Sequence, residues 1–395
     1  MQEDPIVIVS AKRTPIGNFN GIFKDIPTPQ LGSYAIAAAF ENMPEHKDKV
    51  DAVYMGCVLS AGLGQAPARQ AALAADLSVS VPCTTVNKMC GSGMQSVMQA
   101  YHDIQSDHAK MIVAGGMENM SRAPYLLQGA RTGLRMGPQT LEDHMLLDGL
   151  VNAYGEHLSM GVLAEQCAKE FHITRDHQDA YAVVSINRAI DATKAGVFKT
   201  EITSVSLSDK KGNIITIDTD EGIQKVNLEK MPLLKPAFTK DGTITAANSS
   251  SISDGAAALI LMRLSYATSL GIKPLAKIIA DTAIAQVPEL FSTAPIAAIE
   301  KLLKKAQWAI DTVDLFEINE AFAVVTLAAM KALSLPFDKI NIHGGACVLG
   351  HPIGASGARI LVTLIHALKH YDKKRGIAAL CIGGGEATAM AIEMM

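Results

Sequence analysis

The sequence predicts an α/β protein built from two similar halves, with a long segment inserted between them. Three observations carry that expectation. Short apolar runs alternate with amphipathic stretches of about ten to fifteen residues, the sign of strands joined by crossover helices. The same order of elements occurs twice. Glycine-rich corners join strand to helix at matching places in both copies.

The first half opens on "PIVIVSAKRTPIG", a strand, followed by the helical stretch "TPQLGSYAIAAAFENM" and a second strand, "VDAVYMGCV". The second half opens on "PLAKIIADTAIA", followed by "TAPIAAIEKLLKKA" and "VDLFEINEAF". Thr28 to Asp51 in one copy and Thr293 to Asp314 in the other span nearly the same distance along the chain. Next, "CGSGMQSVMQAYHDI" and "AKMIVAGGMEN" match "GASGARILVTLIHAL" and "IAALCIGGGEA". Each pair is a glycine-rich turn, an amphipathic helix, a strand and a glycine cluster. Between the halves the pattern changes to glycines, methionines and short polar runs, with helical pieces "AEQCAKEF" and "RDHQDAYAVVSINRAIDATKAG". The expected division is 1–120 with 251–272, then 121–250 as the insertion, then 273–395.

Bulk properties narrow the function. A chain of 395 residues exceeds a single typical core. With 49% hydrophobic and 19% charged residues it is a well-buried globule rather than a disordered chain. A net charge of −4 argues against nucleic acid as a main partner, because phosphate neutralisation needs a basic face. No apolar run is long enough to span a bilayer. The opening "MQEDPIVIVSAKRTP" is unlike a signal or transit peptide. The six cysteines lie scattered, with no CxxC pair and no zinc spacing, so free thiols, no metal and a cytoplasmic setting are expected. "GSGMQS" has Ser96 where a dinucleotide fingerprint needs its third glycine, which weakens a dehydrogenase reading. Between Glu118 and Glu142 stand Arg122, Arg131 and Arg135 and no carboxylate, which fits an anion-attracting or subunit-contacting loop and equally an ordinary solvated surface.

The chemistry-bearing residues sit at the corners. In "VNKMCGSGMQS", Cys90 follows a β-friendly run and precedes a helix, so it faces unpaired N–H groups and the positive end of the helix dipole. That environment offers about 0.3–1 kcal/mol, at best about 2, and is expected to lower the thiol pKa by roughly one unit. An ordinary thiol is only about 3% thiolate at pH 7, so a base is needed as well. The plain alternative is a small buried hydrophobe. "GGACVLGHPIGASG" places His351 at the matching corner of the second copy, and "CIGGG" puts Cys381 at a strand end. "EINEAF" sets Asn319 and Glu320 ahead of an apolar helix, a pattern that also fits capping. These corners lie at the carboxyl ends of strands, where α/β sheets bind ligands.

Taken in order, "AKRTPIGNFNG", "GQAPARQAAL", "NKMCGSG", "AGGMENMS", "NEAF", "GHPIGASGARI" and "CIGGG" resemble the thiolase family over essentially the whole chain. The resemblance implies a five-layer αβαβα arrangement with an inserted loop domain. It implies reversible condensation of two acetyl-CoA to acetoacetyl-CoA and CoA, with CoA thioesters as substrates and no cofactor. Cys90 would carry the acyl group, His351 would take its proton, and Cys381 would remove the methyl proton. Asn319, through a water, and His351 would form one oxyanion site; the N–H groups of Cys90 and Gly383 would form the other. Ser250 and Leu150 would meet the pantetheine arm, and Phe238 and Phe322 would wall the acyl pocket or simply pack.

The stretch 121–137 resembles the loop used in tetramer assembly, so a homo-oligomer, favouring a tetramer, is expected. The chain departs from the family pattern at several places. Ser159 stands where histidine often precedes Met-Gly, and Phe291 where a pocket methionine is usual. His343 replaces a common asparagine. Gln224 and Lys225 stand in place of the cationic residue that packs on adenine. The rival readings are a degradative 3-ketoacyl-CoA thiolase with a wider pocket and a non-catalytic CoA-binding scaffold. The intact Cys90, Asn319, His351 and Cys381 set argues against the scaffold.

Overall fold

The computed structural model describes residues 4–208 and 211–395. The first half runs β1 (Ile6–Arg13), β2 (Gly17–Asn18), α1 (Thr28–Ala39), β3 (Ala52–Gly56), α2 (Pro67–Ala74), β4 (Cys83–Val86), α3 (Ser92–Gln105) and β5 (Met111–Asn119). The insertion carries the paired strands β6 (Tyr125–Leu126) and β7 (Glu142–Asp143), helices α4 (Met160–Glu170) and α5 (Arg175–Lys194), the paired strands β8 (Val205–Ser208) and β9 (Ile214–Ile217), and α6 (Glu221–Gln224). The chain returns to the first half through β10 (Ser253–Arg263) and α7 (Leu264–Ser269). The second half comprises β11 (Ala276–Ala285), α8 (Ala294–Ala306), β12 (Leu315–Ile318), α9 (Ala323–Leu333), α10 (Ala346–Leu349), α11 (Ser356–His370), β13 (Arg375–Ile382) and β14 (Glu386–Met394).

The repeat read from the sequence is a repeat of topology. The first half orders its strands β4-β3-β5-β10-β1 and the second β12-β13-β14-β11. In each, one parallel pair (β3 with β5, β12 with β13) is followed by antiparallel neighbours. Where β4 lies in the first half, the second has a single parallel bridge between Phe316 and Ile340. The halves join through β1 and β11, antiparallel at Val7 with Lys277 and Ile8 with Ala276.

Period-two alternation in the strands sorts the side chains into layers. In β5, Ile112 and Ala114 pack inward with Met94 and Val97 of α3 and Leu361 and Ile365 of α11, while Met111 and Val113 pack outward with Leu31 and Ile36 of α1. In β13, Ala378 and Leu380 join the inner cluster, and Ile377 and Ala379 meet Ile299 and Leu302 of α8. The result is five layers, with α3 and α11 as the central one. That position explains α11, which is buried from Ser356 to Leu368 except at His366, unlike a surface helix with one apolar stripe.

The two central helices touch at their first turns. A Cβ on Gly357 would lie 2.4 Å from the backbone nitrogen of Met94, and one on Gly93 would lie 2.8 Å from that of Ala358. Only glycine allows this approach, which sets the corner before α3 beside the corner before α11. Gly357→Ala is therefore expected to cost about 1–3 kcal/mol by overpacking and to lower turnover at least about tenfold by separating the corners. Urea unfolding and steady-state kinetics on the same variant measure both effects.

The insertion is pinned to both halves. Arg13, at the end of β1, donates to Glu201 at 2.6 Å and to Asp220 at 2.7 Å, all three buried. Helix α5 begins at Thr174, whose hydroxyl accepts the N–H of His177 at 3.3 Å, and its Tyr181 and Ser185 reach Glu320 of the second half. Among the described residues no helix is long and apolar enough to cross a membrane.

Candidate active site

Cys90 lies between β4 and α3 on a tightly wound loop. Met89 before it holds φ at 47°, a left-handed conformation that a non-glycine residue keeps only when its surroundings enforce it. The enforcement is visible: the Ser92 hydroxyl accepts the Lys88 N–H at 2.8 Å and donates to the Met89 carbonyl at 2.6 Å. His351 occupies the turn between α10 and α11. Its Nδ1 lies 2.6 Å from the Ser356 hydroxyl, which in turn donates to the Pro352 carbonyl at 3.0 Å. With that hydroxyl proton on the carbonyl, the ring would carry its proton on Nδ1 and leave Nε2 free as the acceptor. Asn319 follows β12, its amide nitrogen 3.5 Å from either ring nitrogen of His351. Cys381 is buried near the end of β13, just before the Gly383–Gly385 turn.

One cavity of about 440 Å³ collects these corners. Cys90, His351, Cys381 and Gly383 line it together with Leu150, Phe238, Ser250, Phe291 and Phe322. The three rings form a T-shaped chain, Phe238 on Phe322 at 5.9 Å and Phe322 on Phe291 at 6.4 Å. Ser250 is held by its N–H and its hydroxyl, both donating to the Ala321 carbonyl, at 3.0 and 2.9 Å. Ser159 lines the wall as the cap of α4. Two sequence candidates lie elsewhere. Asn319 sits behind His351, and Lys225 lies outside the cavity, paired with Glu221 at 2.5 Å. Two thiols, an imidazole and backbone N–H groups around an apolar chamber suit acyl transfer through a covalent thioester.

Two family models divide the chain between them: Thiolase, N-terminal domain, over residues 6–265, and Thiolase, C-terminal domain, over residues 272–394. The chain belongs to the thiolase family. It is 48% identical to the acetyl-CoA acetyltransferase of Cupriavidus necator, over 98% of this chain and 99% of that one. It is 49% identical to acetyl-CoA acetyltransferase 2 of Arabidopsis thaliana, over 99% and 97%. It is also 44% identical to a probable acetyl-CoA acyltransferase of Staphylococcus epidermidis, over 98% of each chain.

The electrostatics of this thiolase correct one expectation. The helix start was expected to lower the Cys90 pKa; instead burial pushes the thiol up to about 11. The N–H groups of Gly383 and of Cys90 itself pull it back, and the nearby Glu118 adds a smaller upward push. Desolvation outweighs the dipole because Cys90 precedes the helix cap and sits against apolar side chains. Burial, with the Arg359 charge adding to it, lowers His351 to about 3. Cys381 is raised well above the usual thiol range, first by burial and then by its neighbour Cys90. Burial thus disfavours the charged form of both thiols and of the imidazole, and with it a preformed ion pair.

Three residues of the thiolase site escaped assignment from sequence. Glu118, given no role in the sequence reading, is buried at the end of β5. Its carboxylate accepts the N–H groups of Val58, Leu59 and Gly354 at 3.0, 3.2 and 3.0 Å, tying the loop after β3 to the His351 turn. Burial raises it to about 7 against those hydrogen bonds. Glu320 is no helix cap but a buried acceptor for Tyr181, Ser185, Asn341 and the Cys347 N–H. Ser356 is the partner that orients His351. The available signal was positional, since each of the three sits inside one of the recognised motifs.

Proposed function

We propose that this thiolase is an acetyl-CoA acetyltransferase, joining two acetyl-CoA reversibly into acetoacetyl-CoA and CoA through an acetyl-Cys90 intermediate. The observation that carries the reading is the convergence of Cys90, His351, Cys381 and the Gly383 turn in one apolar cavity. In the first half-reaction Cys90 attacks the acetyl thioester, its proton passes to Nε2 of His351, and that proton leaves with CoA. In the second, Cys381 first passes its own proton to the freed Nε2 of His351 and then, as the thiolate, takes a methyl proton from another acetyl-CoA. The resulting carbanion attacks the acetyl-Cys90 carbonyl, and the departing Cys90 thiolate takes the proton back from His351. A thiol held at about 11 attacks only as its proton is removed, which is the part assigned to His351. The N–H groups of Cys90 and Gly383 would hold the oxyanion, where losing one donor typically costs about 2.7–4 kcal/mol. Asn319 would support the enolate site through a water. Ser250 and Leu150 would receive the pantetheine arm, with Lys225 nearer the nucleotide end. No other cofactor enters this scheme.

Phe291, at 2% exposure and edge-on to Phe322, favours a short acyl group over the long chains of a degradative 3-ketoacyl-CoA thiolase. The test is thiolysis of 3-ketoacyl-CoA substrates of increasing length at saturating CoA. We expect acetoacetyl-CoA to be cleaved at least about tenfold faster than a ten-carbon substrate, with an acetyl adduct on the Cys90 peptide. Faster cleavage of the long substrate would overturn the short-chain reading. We also propose a homotetramer assembled through the insertion, a reading supported by exposed Tyr125, Leu134, Met136 and Leu141. The six free cysteines support a cytoplasmic setting.

A further inference from the structure

We propose that the ion pair between Lys88 and Glu386 is a strap that holds the Cys90 loop in register with the hairpin carrying Gly383, and so sets the second oxyanion site. The inference rests on the reading of Cys90 as the acylated thiol. Lys88 precedes Cys90 by two residues and Glu386 follows Gly383 by three; their side chains meet directly, Nζ to Oε2. Neither residue lines the cavity. They therefore act through the two loops and are positioning residues, not catalytic ones.

Both loops need such a restraint. Gly383, Gly384 and Gly385 close the β13–β14 hairpin above the Ile382–Glu386 pair, and Gly384 and Gly385 hold φ at 95° and 83°. Consecutive glycines leave a turn with more than one accessible shape. The Cys90 loop touches this hairpin through an apolar contact, for a Cβ on Gly91 would lie 2.3 Å from the Ile382 Cδ1. An apolar contact keeps surfaces together but allows sliding, whereas a charge-assisted hydrogen bond fixes direction as well. Register matters because the Gly383 and Cys90 N–H groups both bear on the Cys90 sulfur. Two donors on separate loops must be held within about 0.5 Å to act on one atom. At 24% and 35% side-chain exposure the pair contributes little to stability, so its effect falls on geometry.

The test compares wild type, Glu386→Gln, Lys88→Met and the charge swap Lys88→Glu with Glu386→Lys. The first readout is the pH midpoint of Cys90 alkylation by iodoacetamide, followed by peptide mapping. The second is kcat and KM for acetoacetyl-CoA thiolysis. Glu386→Gln removes a negative charge, and charge alone would lower the thiol midpoint. Loss of the Gly383 donor raises it instead. We expect a rise of at least about half a unit in Glu386→Gln. We also expect a roughly tenfold lower kcat with KM changed less than about twofold, in both single variants. The swap should restore kcat to within about threefold of wild type. A midpoint that falls or stays put in Glu386→Gln overturns the strap, as does a swap no better than the single variants. A wild-type protein that is alkylated normally but turns nothing over refutes the thiolysis reading, while the midpoint comparison still decides the strap.

Discussion

Cys90→Ala is expected to abolish acyl transfer, lowering turnover by at least about 10⁴-fold, while the protein still folds. No other thiol in the cavity can replace it. Cys381 is buried, and burial raises its pKa well above the usual thiol range. Burial keeps the Cys90 thiol largely protonated at pH 7. The reaction therefore depends on drawing the proton off as the sulfur attacks, and no residual route bypasses that sulfur. Truncation removes one atom from a half-buried side chain, so the stability cost stays near about 1 kcal/mol. Intact-protein mass spectrometry with acetyl-CoA should show an acetyl adduct on wild type and none on the variant. Acetyl exchange between CoA molecules at wild-type rate in Cys90→Ala would refute the assignment.

Glu320→Ala is expected to have the largest effect on stability, about 3–5 kcal/mol. Four groups converge on this fully buried carboxylate: the Tyr181 hydroxyl at 2.7 Å, Ser185 at 2.8 Å, the Asn341 amide at 2.9 Å and the Cys347 N–H at 3.0 Å. Removing the acceptor strands the Tyr181 and Ser185 hydroxyl protons and the Cys347 N–H where water has no access, the costly side of hydrogen-bond energetics, while the Asn341 amide keeps the Ile318 carbonyl at 2.8 Å. The loss would spread, because Tyr181 and Ser185 belong to the insertion while Asn341 and Cys347 belong to the second half. Glu320→Gln should recover only part of it, since its amide nitrogen would point a donor at donors. The urea midpoint at constant m-value measures the loss. A midpoint change equivalent to less than about 1 kcal/mol in Glu320→Ala would show that this carboxylate adds little to docking the insertion on the second half.

Much of the architecture could be read from the chain. The doubled order of strand, helix and glycine corner predicted the repeat, and the structure repeats the same strand order in both halves. Local signals sufficed because each unit is defined by periodicity and turns. The corners of Cys90, His351 and Cys381 were legible for the same reason, whereas Phe291, which also lines the cavity, was read from the family resemblance. What escaped depended on distance along the chain. Glu118 acquires its role from Val58 and from Gly354, which lie far apart in sequence, and Glu320 from residues of the insertion. The sign of the Cys90 shift escaped as well. A helix start is visible in sequence, whereas the apolar packing that outweighs it exists only once both halves have closed around the sulfur.

Among the described residues the sheets of the two halves meet edge to edge through two residue pairs, Val7 with Lys277 and Ile8 with Ala276. Severing the backbone at Gly271 would leave the sulfur nucleophile on one fragment and the imidazole on the other, each with its own nearly complete set of strands. Neither piece could complete a catalytic cycle alone, so activity would report reassembly, as in a split reporter. The fold thus makes turnover conditional on the marriage of its two copies.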